Sequence, residues 1–392
     1  MNAKKKSNII KKERIDTSAS DQINLRYQDK TYNELFRQWR RNSKDSGGFF
    51  YVEKPDELTY RDGYGFVKDY PEAAESSAIG IIYKVLGMAF LILTLSDFLQ
   101  VIIVPMILNK LGADIYHDFW AGKYYGNEWL ITSIKLFFEI FKRILVAFII
   151  YKKLNIPIKV MFPTKIMNKH LFVAAVPVML MVAALGSLTE ALFEIVLHEL
   201  NISNVSWIQL PKDRGALIYY LIVGVIIAPC CSELFSRGVI MQLMRQFGDG
   251  TAVVFSAFIT AAACFNLSRF CYMFLVSLVA GYFTIRTGSV ITAVIMRITA
   301  SAFAHGLYLL DEYLDVKYEG MVIMLVILAA LLIGIGFSVS FMVKHSDKLG
   351  MPLLTRYLTF SQKVTAMFTN VNMVIWLSTV IIMTLFNIRI LL

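Results

Sequence analysis

The chain has 392 residues, 57% of them hydrophobic, and its mean hydropathy is +0.58. Charged residues make up 17%, against about a quarter in soluble domains, which excludes a soluble globular protein and implies a polytopic membrane protein. The net charge of +10 calls for no nucleic-acid partner, because much of it sits in loops where membrane topology accounts for it.

Met1 to Ser77 is polar and holds no apolar core of signal length, so it reads as a soluble tail. Its start is basic (Lys4, Lys5, Lys6, Lys11, Lys12, Arg14) and is expected to be disordered. Beyond it, Thr31 to Asn42 predicts a short helix, and Gly47 to Val52 a strand or hairpin arm.

A helical span takes about 20 apolar residues. That ruler gives segments near 80–107, 131–151, 170–197, 215–229, 251–268, 270–286, 289–310, 320–343 and 370–391. The second carries Lys135, Glu139, Lys142 and Arg143, whose charged ends must face other helices or snorkel. Loop charges set the orientation. Residues 152–170 hold Lys152, Lys153, Lys159, Lys165 and Lys169 and no acid. Residues 344–363 hold Lys344, Lys348, Arg356 and Lys363 against Asp347, while 311–319 hold Asp311, Glu312, Asp315 and Glu319 against Lys317. A cytoplasmic amino terminus with nine spans puts both basic loops inside and the acidic loop outside. Eight spans and one interfacial helix would return the last residues to the inside. The expectation is therefore an all-α bundle of about eight or nine transmembrane helices in the cell membrane. Its parts are a cytoplasmic tail (1–78), a first set of spans (79–214), a core (215–310) and a closing set (311–392). Between spans three and four, Asn201 to Arg214, with Trp207 and Leu210, reads as chain lying along the outer interface.

Within the core, Glu233 sits four residues before Arg237, about one helical turn, so carboxylate and guanidinium share a face at membrane depth. Ionised groups there are costly and mark either a functional cavity or a structural ion pair. Pro229, just upstream, can break or kink the span. The order that follows is specific: Arg237-Gly238, a span from Thr251, Asn266-Leu267, then Phe270, Tyr272 and Phe274, and finally Gly281-Tyr282 leading to Thr287-Gly288-Ser289. This pattern, over roughly 215–305, resembles the CPBP (CAAX protease and bacteriocin-processing, or Abi) family of intramembrane proteases.

The resemblance implies a helical cone around a buried polar site, where a glutamate pair activates water for peptide-bond attack. In the family the pair is followed by an arginine; here the positions are Ser232, Glu233 and Arg237, so the leading glutamate is replaced. The two family histidines fall on Cys264 and Arg297, and the asparagine four residues after the second falls on Ser301. A shifted register, pairing Phe265 with Arg269, restores no imidazole either. His305 lies eight residues past Arg297, about 12 Å along the same face. Glu233 and Arg237 are thus the remnants of the catalytic set, and losses within such a unit cost orders of magnitude.

Two readings of the arginines stay open. Arg297 can pair with Glu233 and close the site, since pairing lowers the cost of a buried carboxylate. Alternatively, Arg237 and Arg297 form a cationic pocket for an acidic peptide or carboxyl terminus. The four cysteines, Cys230, Cys231, Cys264 and Cys271, show no zinc or disulfide spacing and read as buried apolar thiols. No metal or cofactor is expected. Thr260, Asn266 and Ser301 suit helix–helix hydrogen bonds, and Glu190 with Glu194 a wetted helix face near the outer end of span three.

The leading expectation is an inactive family member binding a peptide or membrane-protein partner within the lipid bilayer, in the setting of bacteriocin or peptide maturation or immunity that the resemblance implies. The alternatives are an active glutamic-type endopeptidase with a rearranged site around Glu233, and a transporter-like protein using an intramembrane charge relay.

Overall fold

Tyr32 and Phe36, one turn apart in the helix predicted from Thr31, are both buried and stack with ring centroids 5.8 Å apart. The computed structural model describes residues 30–41, 58–61, 65–68, 71–118, 123–204, 209–314, 316–345 and 357–390. The basic start at Lys4–Arg14, the Gly47–Val52 segment, Trp207, Asp315, Asp347, Lys348 and Arg356 lie outside these residues.

Helix α1 (Lys30–Arg41) is followed by an antiparallel hairpin, β1 (Leu58–Arg61) with β2 (Gly65–Lys68). Helix α2 (Pro71–Phe98) continues through a π-helical turn (Leu99–Ile103) into α3 (Val104–Lys110). A second hairpin, β3 (Ile115–Asp118) with β4 (Lys123–Gly126), leads into α4 (Glu128–Leu154). Asn127 caps α4 by accepting the Leu130 N–H at 3.2 Å, and Asn155 ends it in the left-handed region at φ 48°.

A short turn, α5 (Ile158–Met161), precedes α6 (Lys169–Glu199) and β5 (Ile202–Asn204). The next long helix is composite. It comprises α7 (Arg214–Leu221), a π-helical turn (Ile222–Ile227), α8 (Ala228–Glu233), a second π-helical turn (Leu234–Ile240) and α9 (Met241–Met244). Then come α10 (Asp249–Ala262), α11 (Leu267–Thr287), α12 (Val290–Tyr313), α13 (Val316–His345), α14 (Phe360–Thr369), α15 (Val371–Phe386) and β6 (Ile388–Ile390).

Polar contacts collect at the two ends of the bundle. At one end Arg245 donates to Tyr32 Oη (2.9 Å) and Asp249 (2.8 Å), and Ser289 Oγ donates to the Thr164 carbonyl (2.9 Å). There Glu75 is clamped: Oε2 accepts the N–H groups of Tyr357 and Leu358, and Oε1 lies 3.0 Å from Lys363 Nζ. At the other end Asn204 donates to Ser268 (2.6 Å), Asn387 to the Phe265 carbonyl (2.8 Å), and β5 pairs antiparallel with β6. Helices α10, α11 and α15 therefore run between the same two ends as α6.

This is an all-α polytopic membrane protein. Leu325, Leu328, Leu332 and Phe337 on α13 are exposed, as residues facing lipid acyl chains are. Among the described residues, six helices are long and apolar enough to cross a membrane, and up to seven if α14 and α15, bent by 81° at Asn370, form one span. The difference from eight or nine lies in two expected segments. Helix α10 has 14 residues and is almost wholly buried among its neighbours, so it needs no lipid-matched length. Helix α4 keeps its charges, with Lys142 buried against the interior rather than snorkelling.

Candidate functional site

Pro229 sits inside the composite helix, just after the first π-helical turn, where its missing N–H leaves an upstream carbonyl without a helical donor. The π-helical turns on either side hold more residues per turn than an α-helix and leave room beside the backbone. At the first, the Gly224 carbonyl receives Ser301 Oγ at 3.0 Å. At the second, Glu233 and Arg237 are brought together. Both are 0% exposed, and Arg237 Nε lies 3.2 Å from Glu233 Oε2.

Three other helices complete the arrangement. Thr260 of α10 accepts from Arg237 Nη1 at 3.3 Å and donates to the Ser256 carbonyl at 2.8 Å. The Ser277 carbonyl of α11 accepts from Arg237 Nη2. Arg297 of α12 places Nε 3.9 Å from Glu233 Oε1 and Nη2 2.8 Å from the Met273 sulfur. Glu233 thus has a guanidinium at each oxygen, yet among the described residues neither oxygen accepts a hydrogen bond of normal geometry.

A cavity of about 540 Å³ opens beside this cluster. Ser232, Thr260, Cys264, Arg297, Ser301 and His305, all singled out in the sequence, line it together with Ser236. Glu233 and Arg237 do not line it; they sit behind its wall. His305 lies one turn past Ser301 on α12, with Nδ1 2.9 Å from the Ser301 carbonyl. A Cβ on Gly224 would sit 2.9 Å from His305 Nε2, so the close approach of ring and backbone requires glycine there. Cys264 Sγ contacts the Thr260 carbonyl at 3.5 Å.

Sequence reasoning missed the opposite wall. Asp97 of α2 and Lys135, Glu139, Lys142 and Arg143 of α4 face the same cavity, with Arg269 of α11. Lys142 pairs with Asp97 and lies 3.7 Å from Glu139, which also pairs with Arg143. The signal was the four charges interrupting the second apolar segment. Glu190 and Glu194 line a second cavity of about 460 Å³ with His198, Ser203, Asn204 and Tyr308, in keeping with a wetted face. Among the described residues, no three His, Cys, Asp or Glu side chains gather as a metal site.

The segment carrying this cluster also matches a family model, described as Type II CAAX prenyl endopeptidase Rce1-like, over residues 214–303. The similarity covers this segment, a little under a quarter of the chain. It begins at the helix capped by Asp213, whose Oδ2 accepts the Ala216 N–H at 2.8 Å, and ends on α12 just past Ser301. The Rce1-like segment contributes Glu233, Arg237, Cys264 and Arg297, whereas Asp97 and the charges of α4 come from outside it. No curated protein and no solved structure matches the chain.

Proposed function

We propose that this CAAX protease-like membrane protein binds a peptide, or a segment of a membrane-protein partner, in its intramembrane cavity without cleaving it. The observation that carries the reading is the state of Glu233. Its oxygens lie 3.2 Å and 3.9 Å from Arg237 and Arg297 and it is wholly buried, which favours a counterion over a base toward substrate. A general base must reach the proton it takes, within hydrogen-bond distance or through one water. At the cavity wall the family positions hold Ser232, Cys264, Arg297 and Ser301. A serine or a buried thiol takes no proton at neutral pH, and a guanidinium stays charged. His305 is an imidazole lining the cavity; its Nδ1–H faces the Ser301 carbonyl, and its Nε2 is packed against the Gly224 backbone rather than open to a substrate. The resemblance sets such binding in peptide maturation or immunity.

The test is a cleavage assay of the full chain in membranes with candidate peptides, beside Glu233→Gln. No turnover in either, with binding retained, is the expected result; turnover that disappears in Glu233→Gln overturns the reading in favour of an active peptidase. The triple variant Ser232→Glu, Cys264→His and Arg297→His then asks whether the scaffold still supports chemistry.

A further inference from the structure

Helix α1 docks on the bundle through one narrow face. Of its described side chains, Tyr32 and Phe36 are buried and Leu35 partly so, whereas Lys30, Thr31, Glu34 and Gln38 are exposed. A 12-residue helix is marginal in water on its own, so α1 owes its helix to docking. Beneath it lie Gln242 and Arg245, with Asp249 behind, all buried. Tyr32 Oη donates to Gln242 Oε1 at 2.6 Å and accepts from Arg245 Nη1 at 2.9 Å. The Arg245 guanidinium lies 5.9 Å and 6.0 Å from the centroids of the Tyr32 and Phe36 rings. Among the described residues, Arg245 Nη2 and Asp249 Oδ2 have no hydrogen-bond partner. Such groups cost free energy while covered and regain water when uncovered. Lifting α1 therefore wets a polar patch that water satisfies, which sets this helix at the low-stability end of the molecule.

The same contacts reach the intramembrane cluster. Gln242 accepts from Tyr32 with its side-chain oxygen and donates with its side-chain nitrogen to the Arg237 carbonyl, at 3.2 Å. Arg237 lies in the second π-helical turn and holds Glu233. We propose that α1 is a releasable latch in which Tyr32 is a positioning residue. Docked, it keeps Gln242 on the Arg237 backbone and so fixes Arg237 against Glu233; released, it frees the second π-helical turn. Coupling between sites needs contiguous contacts and an element with two arrangements, and docked and undocked α1 supply the two.

Hydrogen exchange of the full chain in nanodiscs tests this by comparing Lys30–Arg41, Leu234–Met244 and Leu267–Thr287. In the unchanged protein α1 should exchange at least about tenfold faster than Leu267–Thr287. Tyr32→Phe keeps the ring and loses the hydroxyl. Exchange should then rise about two- to tenfold in both Lys30–Arg41 and Leu234–Met244, the scale of one hydrogen bond, and stay unchanged in Leu267–Thr287. Gln242→Glu keeps the acceptor for Tyr32 and Arg245 but loses the donor to Arg237, so it should raise exchange in Leu234–Met244 alone. Protection of α1 equal to that of Leu267–Thr287 overturns the release. Leu234–Met244 unchanged in either variant overturns the coupling. No peptide enters the measurement, so its outcome is separate from that of the binding reading.

Discussion

Arg297 reaches Glu233 from a different helix, its Nε 3.9 Å from Oε1, while Arg237, one turn away on the same helix, holds Oε2 at 3.2 Å. The two guanidiniums are not equivalent. Arg237 is fully buried and also meets Thr260 and the Ser277 carbonyl, whereas Arg297 keeps part of its surface in the cavity.

Arg237→Gln should therefore cost far more than Arg297→Gln. Removing one partner of a buried ion pair leaves the other charge uncompensated, at about 3–5 kcal/mol. The longer and partly wetted contact of Arg297 should cost about 1 kcal/mol or less. Unfolding of the purified protein in mixed micelles measures both, and equal losses would make Arg297 an equal counterion.

At Gly238 an added Cβ would lie 2.9 Å from the Met161 carbonyl oxygen and 2.7 Å from the Phe162 ring. Backbone cannot swing aside as a side-chain end can, so Gly238→Ala should destabilise by about 1–3 kcal/mol through overpacking. Gly306→Ala is the control, because nothing lies within 4 Å of the added atom. That variant should be neutral, or stabilising by up to about 1 kcal/mol through helix propensity. Thermal unfolding of the two variants gives the comparison.

Lys363→Met tests the clamp between the start of α2 and the residues before α14. Lys363 and Glu75 are almost wholly buried, so the lone glutamate should cost about 3–5 kcal/mol. Adding Glu75→Gln should recover much of the loss, since an amide oxygen can still accept the Tyr357 and Leu358 N–H groups. A double variant no better than Lys363→Met would show that the lysine acts through packing alone.

His117, in the hairpin between α3 and α4, titrates at about 4 instead of its usual 6.5, chiefly because burial disfavours the cation; Asp118 opposes the shift and Lys135 adds to it. The folded state keeps the ring neutral while the unfolded chain takes up a proton near 6.5. This contribution to stability is full above pH 6.5 and is lost as pH falls from 6.5 toward 4. Melting temperature should fall across that window, and His117→Gln should flatten the fall. An unchanged slope in the variant would remove His117 as its cause.

The fold was legible because apolar runs of membrane length survive any packing arrangement. The Glu233 and Arg237 pairing was legible from helical spacing, even though the intervening turn is π-helical. The other half of the cavity was not. Lys135, Glu139, Lys142 and Arg143 were visible as charges in an apolar run, but which helix face turns inward depends on neighbours that one segment does not encode. Arg269 entered only as the partner of Phe265 in a shifted register, and only the cavity that α11 shares with α4 and α12 makes it part of the wall.

The widened turn at Ile222–Ile227 gives the composite helix slack of one residue. A residue removed from that turn would restore ordinary α-helical pitch and leave Glu233 facing as it does now. A residue removed from Ala228–Glu233, where the helix has no such reserve, would rotate one flank against the other by about 100° and swing either Glu233 or the Ser301-bound Gly224 out of alignment. Single-residue deletions should thus be tolerated within Ile222–Ile227 and not within Ala228–Glu233.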